Sequence, residues 1–187
     1  MADAPSENST LQPRVAPIRR VVTGHNAQGR AIVVSDAACP HVDCILGQDD
    51  HATTEMWVTS VPADNNVPGD PVVLPHRIQP PEGSAVFRVV EFPPDETFRA
   101  ALRPDQVLVQ DDSRTSDSPM MHRTRSTDYV VMMAGELVCV MEEGEVMMRP
   151  GDVMVQRGTN HEWQNRTNVP ARAAFVMIDA VPLAEAS

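Results

Sequence analysis

The sequence contains no lysine, so all fifteen basic residues of the 187-residue chain are arginines. Without lysine there is no Schiff base, which excludes pyridoxal phosphate enzymes and lysine-type aldolases. P-loop nucleotide hydrolases are also excluded, because their phosphate-binding motif requires a lysine. The 26 acidic residues bring the net charge to −11, which makes the chain a poor partner for nucleic acid or an anionic membrane. We therefore predict neither of these partners and no nucleotide cofactor.

Cysteines and long apolar runs are equally scarce. No apolar stretch approaches the roughly 18 residues of a membrane span, and residues 1–8 are polar and acidic, unlike a signal peptide. The three cysteines, Cys39, Cys44 and Cys139, are an odd number, which predicts free thiols rather than a disulfide framework. Cys39 and Cys44 lie in a predicted loop. The four residues between them do not match the usual spacing of zinc ligands, so we predict an ordinary loop and no zinc site there. These features predict a cytoplasmic protein.

Prolines (17) outnumber glycines (9), and only seven residues are aromatic. This composition favours short strands and loops over long helices. The pattern predicts a hairpin over residues 19–35, a loop over 36–53, a strand at 55–59, proline-rich loops over 61–84 and a strand at 85–92. A short helix fits only near 96–102. Six closely spaced strands are then predicted at 129–133, 137–141, 145–148, 153–156, 161–164 and 171–178, which is typical of an all-β sandwich or barrel.

Two short motifs in the C-terminal half carry the chemistry. The first contains His122-Arg123-Thr124 and Asp128-Tyr129, followed by Gly135, and the second contains Gly158, His161 and Asn165. Their order and spacing resemble the two conserved motifs of the cupin superfamily, in a variant typical of stand-alone cupins. The resemblance implies a jelly-roll barrel (a double-stranded β-helix) that holds a small molecule inside, and a chain that pairs as a homodimer.

Sequence pattern and resemblance together predict four segments. These are a flexible arm (1–18), which is polar and contains three prolines, N-terminal strands and proline-rich loops packing on the barrel or on a partner subunit (19–84), the barrel (85–180) and a tail (181–187). Metal-binding cupins use three histidines and a glutamate as ligands. Here only His122 and His161 match the histidines; Thr124 takes the place of one histidine and Asp128 that of the glutamate.

Residues two apart on a strand share a face, so His122 and Thr124 are expected to point the same way, as are His161, Trp163 and Asn165. Three interpretations remain open. His122, His161 and Asp128 hold a divalent transition metal (Fe, Zn, Mn or Ni). Alternatively, the histidines act as general acid and base without metal, with Asp128 and Tyr129 nearby. In the third, they are hydrogen-bonded polar residues of a binding barrel.

Thr124, Trp163 and Arg88 are candidate substrate-binding residues. Strand alternation places Arg88 either on the solvent face or inside the barrel, where it would bind a carboxylate. Trp163 either packs in the core or stacks on a planar ligand. His25, His51 and His76 are expected to be solvated.

Nine of the eleven methionines lie between Met120 and Met177. We interpret them either as flexible side chains that fill the core or as a deformable wall around an apolar ligand. The sequence thus predicts a lyase, isomerase, cyclase or oxygenase that acts on an apolar, oxygenated metabolite. The alternative is a non-catalytic cupin that binds or senses such a ligand.

Overall fold

Short antiparallel strands make up most of the regular structure. The computed structural model describes residues 11–108 and 118–183. Its elements are β1 (Arg19–His25), β2 (Ala31–Ala38), β3 (Val42–Ile45), β4 (Gln48–Ser60), β5 (Ser84–Phe92), α1 (Asp95–Ala101), β6 (Ser126–Ala134), β7 (Leu137–Met141), β8 (Glu145–Met148), β9 (Val153–Arg157), β10 (His161–Gln164) and β11 (Ala171–Asp179). The predicted all-β class is confirmed, and the structure has strands at each of the six positions expected from residue 129 onward.

The strands form one large and one small sheet with a separate hairpin. The six-stranded sheet has the order β3-β4-β5-β11-β6-β9, and the three-stranded sheet has the order β10-β7-β8. A single buried cluster joins the two sheets, with Val130 and Phe175 from the larger one and Leu137 and Trp163 from the smaller. Inward and outward residues alternate along β6 and β11, as expected for strands with only one face on the core.

The prediction of a loop over residues 36–53 is wrong. This segment contains the end of β2, all of β3 and the start of β4, with a tight turn at Leu46-Gly47, both at positive φ. Six consecutive β4 residues, 51–56, are buried. A strand covered on both faces loses the alternation by which strands are recognised, and so it resembles a loop.

The N-terminal strands share a sheet with the rest of the chain, because β4 pairs with β5 along most of its length. The hairpin β1–β2 forms its own two-stranded sheet. Residues 11–18 of the predicted flexible arm contact β4: the Arg14 amide donates to the Asp49 carbonyl at 2.6 Å. Residues 1–10 and 184–187 lie outside the described part of the chain.

Gly135 fixes the tight connection between β6 and β7. It has a φ of +70°, and a Cβ atom there would lie 2.7 Å from the Ala171 Cα. Only glycine combines this backbone conformation with this close approach. None of the helices in the described residues is long and apolar enough to cross a membrane.

Candidate functional site

A cavity lies between the two sheets. Its volume, open mouth included, is about 590 Å³. The apolar lining consists of Ile45, Ile78, Val90, Leu108, Met120, Met177, Phe92, Trp163 and Phe175; the polar lining consists of His51, Thr53, Arg88, His122, Asp128 and His161. Three of the seven aromatic residues of the chain are thus concentrated here. A mostly apolar cavity with a few polar groups is typical of a small-molecule site.

His122 and His161 are direct cross-strand partners. Each backbone amide donates to the other's carbonyl at 2.9 Å, so the two side chains leave the same face of this antiparallel pair. The ring centroids lie 4.4 Å apart. The local pairing of the two motif segments therefore brings together two residues that are 39 positions apart in the sequence.

Backbone carbonyls fix the tautomer of both rings. His122 Nδ1 lies 2.9 Å from the Met120 carbonyl, and His161 Nδ1 lies 2.9 Å from the Thr159 carbonyl. Because a carbonyl oxygen only accepts hydrogen bonds, each Nδ1 must carry the proton. Each neutral ring then has an unprotonated Nε2 with a free lone pair, which can accept a proton or bind a metal.

Burial keeps both imidazoles neutral. It lowers the pKa of His161 to about 3, with the neighbouring His122 as a smaller cause. Burial also lowers the pKa of His122 below the ordinary value. Desolvation disfavours the charged imidazolium, so at neutral pH the pair presents two bases.

Arg88 is the buried cation of the site. Its guanidinium Nη2 donates to the Arg77 carbonyl at 2.8 Å and to Glu55 Oε1 at 3.2 Å. Of its two possible orientations, the structure shows the inward one: Arg88 is 5% exposed, whereas its neighbour Phe87 is 40% exposed. Alternation along β5 identifies two faces, and here the arginine lies on the core side and the phenylalanine outside.

Asp128 lies on the adjoining part of the same wall. Burial raises the pKa of this carboxyl above its ordinary value, against smaller lowering effects of a hydrogen bond from Ser126 and of the Arg88 charge. Its Oδ1 atom makes no hydrogen bond. Burial likewise raises the pKa of Glu55. Arg88 and Asp128 therefore line the cavity together with the histidine pair, and the buried Glu55 is bonded to Arg88.

His51 was missed as a site residue, and its expected solvation is wrong. It lines the cavity and is 2% exposed, and its ring packs edge-on against Phe98 with centroids 4.7 Å apart. Burial lowers the pKa of His51 to about 3. His76 is also mostly buried, with its Nδ1 3.0 Å from Asp43 Oδ2. No motif identified His51, because it lies in the segment that resembled a loop.

Two predicted site residues do not line the cavity. Tyr129 follows Asp128 on β6, so its side chain lies on the opposite, outer face and is 47% exposed. It is therefore corrected from a catalytic helper to a surface residue. Thr124 is buried, but its hydroxyl is hydrogen-bonded to that of Ser126, with 2.8 Å between the oxygens, and it is absent from the lining. Asn165 is also structural: its Nδ2 donates to the carbonyls of Phe92 and Val169.

The donor groups do not fit the expected three-ligand metal site. Within residues 11–108 and 118–183, no three His, Cys, Asp or Glu side chains are grouped closely enough to hold a metal ion together. The histidine pair lies on β10 and its neighbouring segment, whereas Asp128 is engaged by Ser126 and Arg88 on the other sheet. Two imidazole Nε2 atoms alone are an incomplete ligand set.

Several buried polar atoms of the site have no hydrogen-bond partner. Of the seven such atoms in the described residues, four belong to the lining, namely His51 Nδ1, Arg88 Nε, Asp128 Oδ1 and Trp163 Nε1. Buried polar groups are normally satisfied, and exceptions cluster where a ligand or water completes them. This set contains both donors and acceptors, which suits an oxygenated ligand.

Sequence comparison relates the chain to fungal proteins of similar length. It is 30% identical over 181 residues to the cupin-domain-containing oxidoreductase fogC of Aspergillus ruber, covering 91% of this chain and 78% of that one. It is 29% identical over 182 residues to phomopsin biosynthesis cluster protein C' of Diaporthe leptostromiformis, covering 96% and 87%. No family model matches the chain.

Among solved structures, a Cupin 2 conserved barrel domain protein of Salinispora arenicola aligns with a TM-score of 0.40 and 14% identity, over 74% of this chain and 82% of that one. The 30% identity to the Aspergillus ruber protein over most of both chains, together with the all-β architecture, shows that this chain belongs to the cupin superfamily.

Proposed function

We propose that this cupin-type enzyme catalyses proton transfer, as an isomerase, cyclase or lyase, on an apolar oxygenated metabolite held between its sheets. The paired neutral imidazoles of His122 and His161 carry the proposal. Their protonated Nδ1 atoms are fixed by backbone carbonyls, so each Nε2 atom is a base held in a fixed orientation. A positioned general base of this kind accelerates proton abstraction by about 10²–10⁴-fold.

The cavity indicates which molecules would react. Aromatic and aliphatic side chains dominate the lining, and Arg88 is its buried cation. A guanidinium in such surroundings stabilises a carboxylate or the negative oxygen of an enolate. We infer a substrate with a flat apolar body and a carbonyl or carboxylate group. One histidine would remove the proton through its Nε2 atom, and the imidazolium formed would return that proton, or one exchanged from solvent, at another atom of the substrate.

A redox reaction is the second candidate. The Aspergillus ruber relative is named an oxidoreductase, and the two Nε2 lone pairs could supply two of the ligands of Fe, Zn, Mn or Ni. Such an ion would polarise a substrate oxygen or support oxygenase chemistry. The Diaporthe relative is named after a biosynthesis cluster, which supports a substrate from specialised metabolism under either candidate.

Solvent exchange tests the first candidate, because it detects the breaking of a substrate C–H bond whatever product forms. Aromatic and polyketide-type carboxylic acids and ketones would be incubated with the protein in D₂O, and loss of substrate C–H signals followed by NMR. We expect catalysed exchange for at least one compound, reduced at least about 100-fold by His161→Gln or His122→Gln. The matched control is His25→Gln, which changes an exposed histidine at the end of β1.

Three results would redirect the assignment. Exchange that survives both histidine variants contradicts the proton-transfer proposal. Activity that is abolished by a chelator and restored by one of the four metals favours the redox candidate. Saturable binding of a compound with neither exchange nor turnover favours the non-catalytic, ligand-sensing alternative.

A further inference from the structure

His51 is a cavity side chain that has no part in the proposed proton transfer. It lies on β4, lines the cavity and is 2% exposed. Its ring packs against two phenylalanines, with centroid distances of 5.5 Å to Phe92 and 4.7 Å to Phe98. Burying a polar ring in apolar surroundings is unfavourable unless its nitrogen atoms are hydrogen-bonded. The position of His51 therefore requires hydrogen-bond partners.

At Nδ1 the protein does not supply such a partner. This atom is buried and makes no hydrogen bond within the described part of the chain. Burial, with the charge of His76 as a smaller cause, lowers the pKa of His51 to about 3, so the ring is neutral at neutral pH. A neutral imidazole has one N–H donor and one acceptor nitrogen, whereas the guanidinium of Arg88 only donates. His51 is therefore suited to a hydroxyl group, which can both donate and accept.

The strand register places His51 at a distance from Arg88 along the same wall. The strands β4 and β5 are adjacent, and Glu55 pairs with Arg88 while Ala52 pairs with Glu91. His51 thus lies four positions along β4 from the residue that faces Arg88. With about 3.4 Å per residue and about 4.8 Å between strands, the Cα atoms of His51 and Arg88 lie roughly 14 Å apart. The wall therefore has two well-separated polar groups.

The stretch between these two groups is apolar. Val90 follows Arg88 by two residues on β5, in the direction of His51, and lines the cavity. Phe175 pairs with Arg88 across β5 and β11, and its ring lies 5.8 Å from that of Trp163 on the opposite sheet. Aromatic side chains arranged in this way pack well against a flat ligand. The cavity therefore suits a flat apolar body with an oxygen atom at each end.

We propose that His51 binds a second oxygen of the substrate, a hydroxyl at the end remote from the carbonyl or carboxylate held by Arg88. This inference rests on the proposed function, because it takes Arg88 as the group that binds the reacting end. Each hydrogen bond takes up about 3 Å, so the two substrate oxygens lie roughly 8–14 Å apart. Aromatic acids and ketones with a hydroxyl across a conjugated ring system from the carbonyl carbon have this span. His51 is then the residue that selects hydroxylated substrates.

Isothermal titration calorimetry with matched pairs of acids tests this without requiring turnover. The pairs are 4-hydroxycinnamate with cinnamate, and 4'-hydroxybiphenyl-4-carboxylate with biphenyl-4-carboxylate. In the wild-type protein we expect the hydroxyl to lower the Kd at least about 10-fold in one of the pairs, the effect of one hydrogen bond to an otherwise unpaired group. His51→Phe should reduce that difference below about 2-fold, because phenylalanine fills the space and makes no hydrogen bond. The Kd of the acid without the hydroxyl should change less than about 3-fold, because that acid makes no bond to His51.

Two further variants and a shorter ligand serve as controls. His51→Asn keeps a side chain that donates and accepts, so it should retain part of the preference for the hydroxyl. His25→Phe changes an exposed histidine at the end of β1 and should retain all of it. The pair 4-hydroxybenzoate and benzoate has a single ring, too short to reach both Arg88 and His51, and should show no preference. Circular dichroism establishes that each variant is folded.

The outcomes distinguish this inference from the proposed function. Absence of a hydroxyl preference in the wild-type protein, or no binding of either longer hydroxylated acid below about 1 mM, overturns the role of His51. A preference that survives His51→Phe, or that is equally strong for 4-hydroxybenzoate, also overturns it. A preference abolished by His51→Phe supports the role of His51 even if no compound exchanges its proton in D₂O. Proton exchange without any hydroxyl preference leaves the proposed reaction in place and overturns this inference alone.

Discussion

Arg88→Met is expected to destabilise the protein by leaving a buried carboxylate unpaired. The side chains of Arg88 and Glu55 are 6% and 4% exposed, with 3.2 Å between Nη2 and Oε1. Removing one partner of a buried ion pair costs about 3–5 kcal/mol. For a chain of this size that free energy corresponds to a fall in Tm of roughly 6–20 °C. The Arg77 carbonyl loses its donor as well.

The loss should depend on pH in a defined direction. Burial already raises the pKa of Glu55, and Arg88 opposes that rise, so the variant should have a still higher pKa at this site. A carboxyl with a raised folded pKa binds its proton more tightly in the folded state, so stability falls as pH rises from the unfolded pKa to the folded one. Arg88→Met should therefore be closer to wild type at pH 5 than at pH 8.

Thermal unfolding, monitored by circular dichroism at pH 5 and at pH 8, measures the loss of stability. The double variant Arg88→Met with Glu55→Gln should recover most of the loss, because it removes the unpaired charge. The matched control is Arg166→Met, which breaks the Arg166–Glu145 pair, whose side chains are 47% and 50% exposed, and should cost about 0–1 kcal/mol. The reasoning is refuted if Arg88→Met costs no more than this control, or if its cost is the same at pH 5 and pH 8.

Three other substitutions have defined outcomes in urea unfolding. Gly135→Ala should cost about 3 kcal/mol, because residue 135 has a positive φ and the added Cβ would be overpacked. Gly144→Ala has a positive φ but nothing within 4 Å of its Cβ, so it should cost only about 1–2 kcal/mol. Equal losses would contradict the clash at residue 135. Asn165→Ala should cost about 1–3 kcal/mol, since the buried Phe92 carbonyl and the partly buried Val169 carbonyl lose their donor. A loss under about 0.5 kcal/mol would contradict that role. His51 has a folded pKa of about 3, so it binds fewer protons when folded, and its contribution is lost as pH falls below 6.5. His51→Phe should therefore lose about 2 kcal/mol less stability than wild type between pH 7 and pH 5; an unchanged pH dependence would count against the burial of a neutral imidazole.

Local sequence pattern determined where several short strands lie. Residues 137–141, 145–148 and 161–164 are short segments bounded by glycines or polar turns, and the structure has β7, β8 and β10 at those positions. The two motif histidines could also be placed on separate strands from their spacing. This information is local, because side chains alternate across a strand whatever the strand packs against.

Tertiary structure decided which face of each strand is inside. Alternation around Arg88 and Tyr129 is compatible with either orientation, and only the order β5-β11-β6 in the large sheet places Arg88 in the cavity and Tyr129 outside. The position of His51 in the cavity depended entirely on tertiary structure, because its strand is covered on both sides and shows no alternation. The meeting of His122 and His161 was predicted from the sequence, and the structure has their rings 4.4 Å apart. Their surroundings, with a buried arginine, the Asp128 carboxyl and a third histidine, depend on pairings between residues 30 to 90 positions apart that no local pattern encodes.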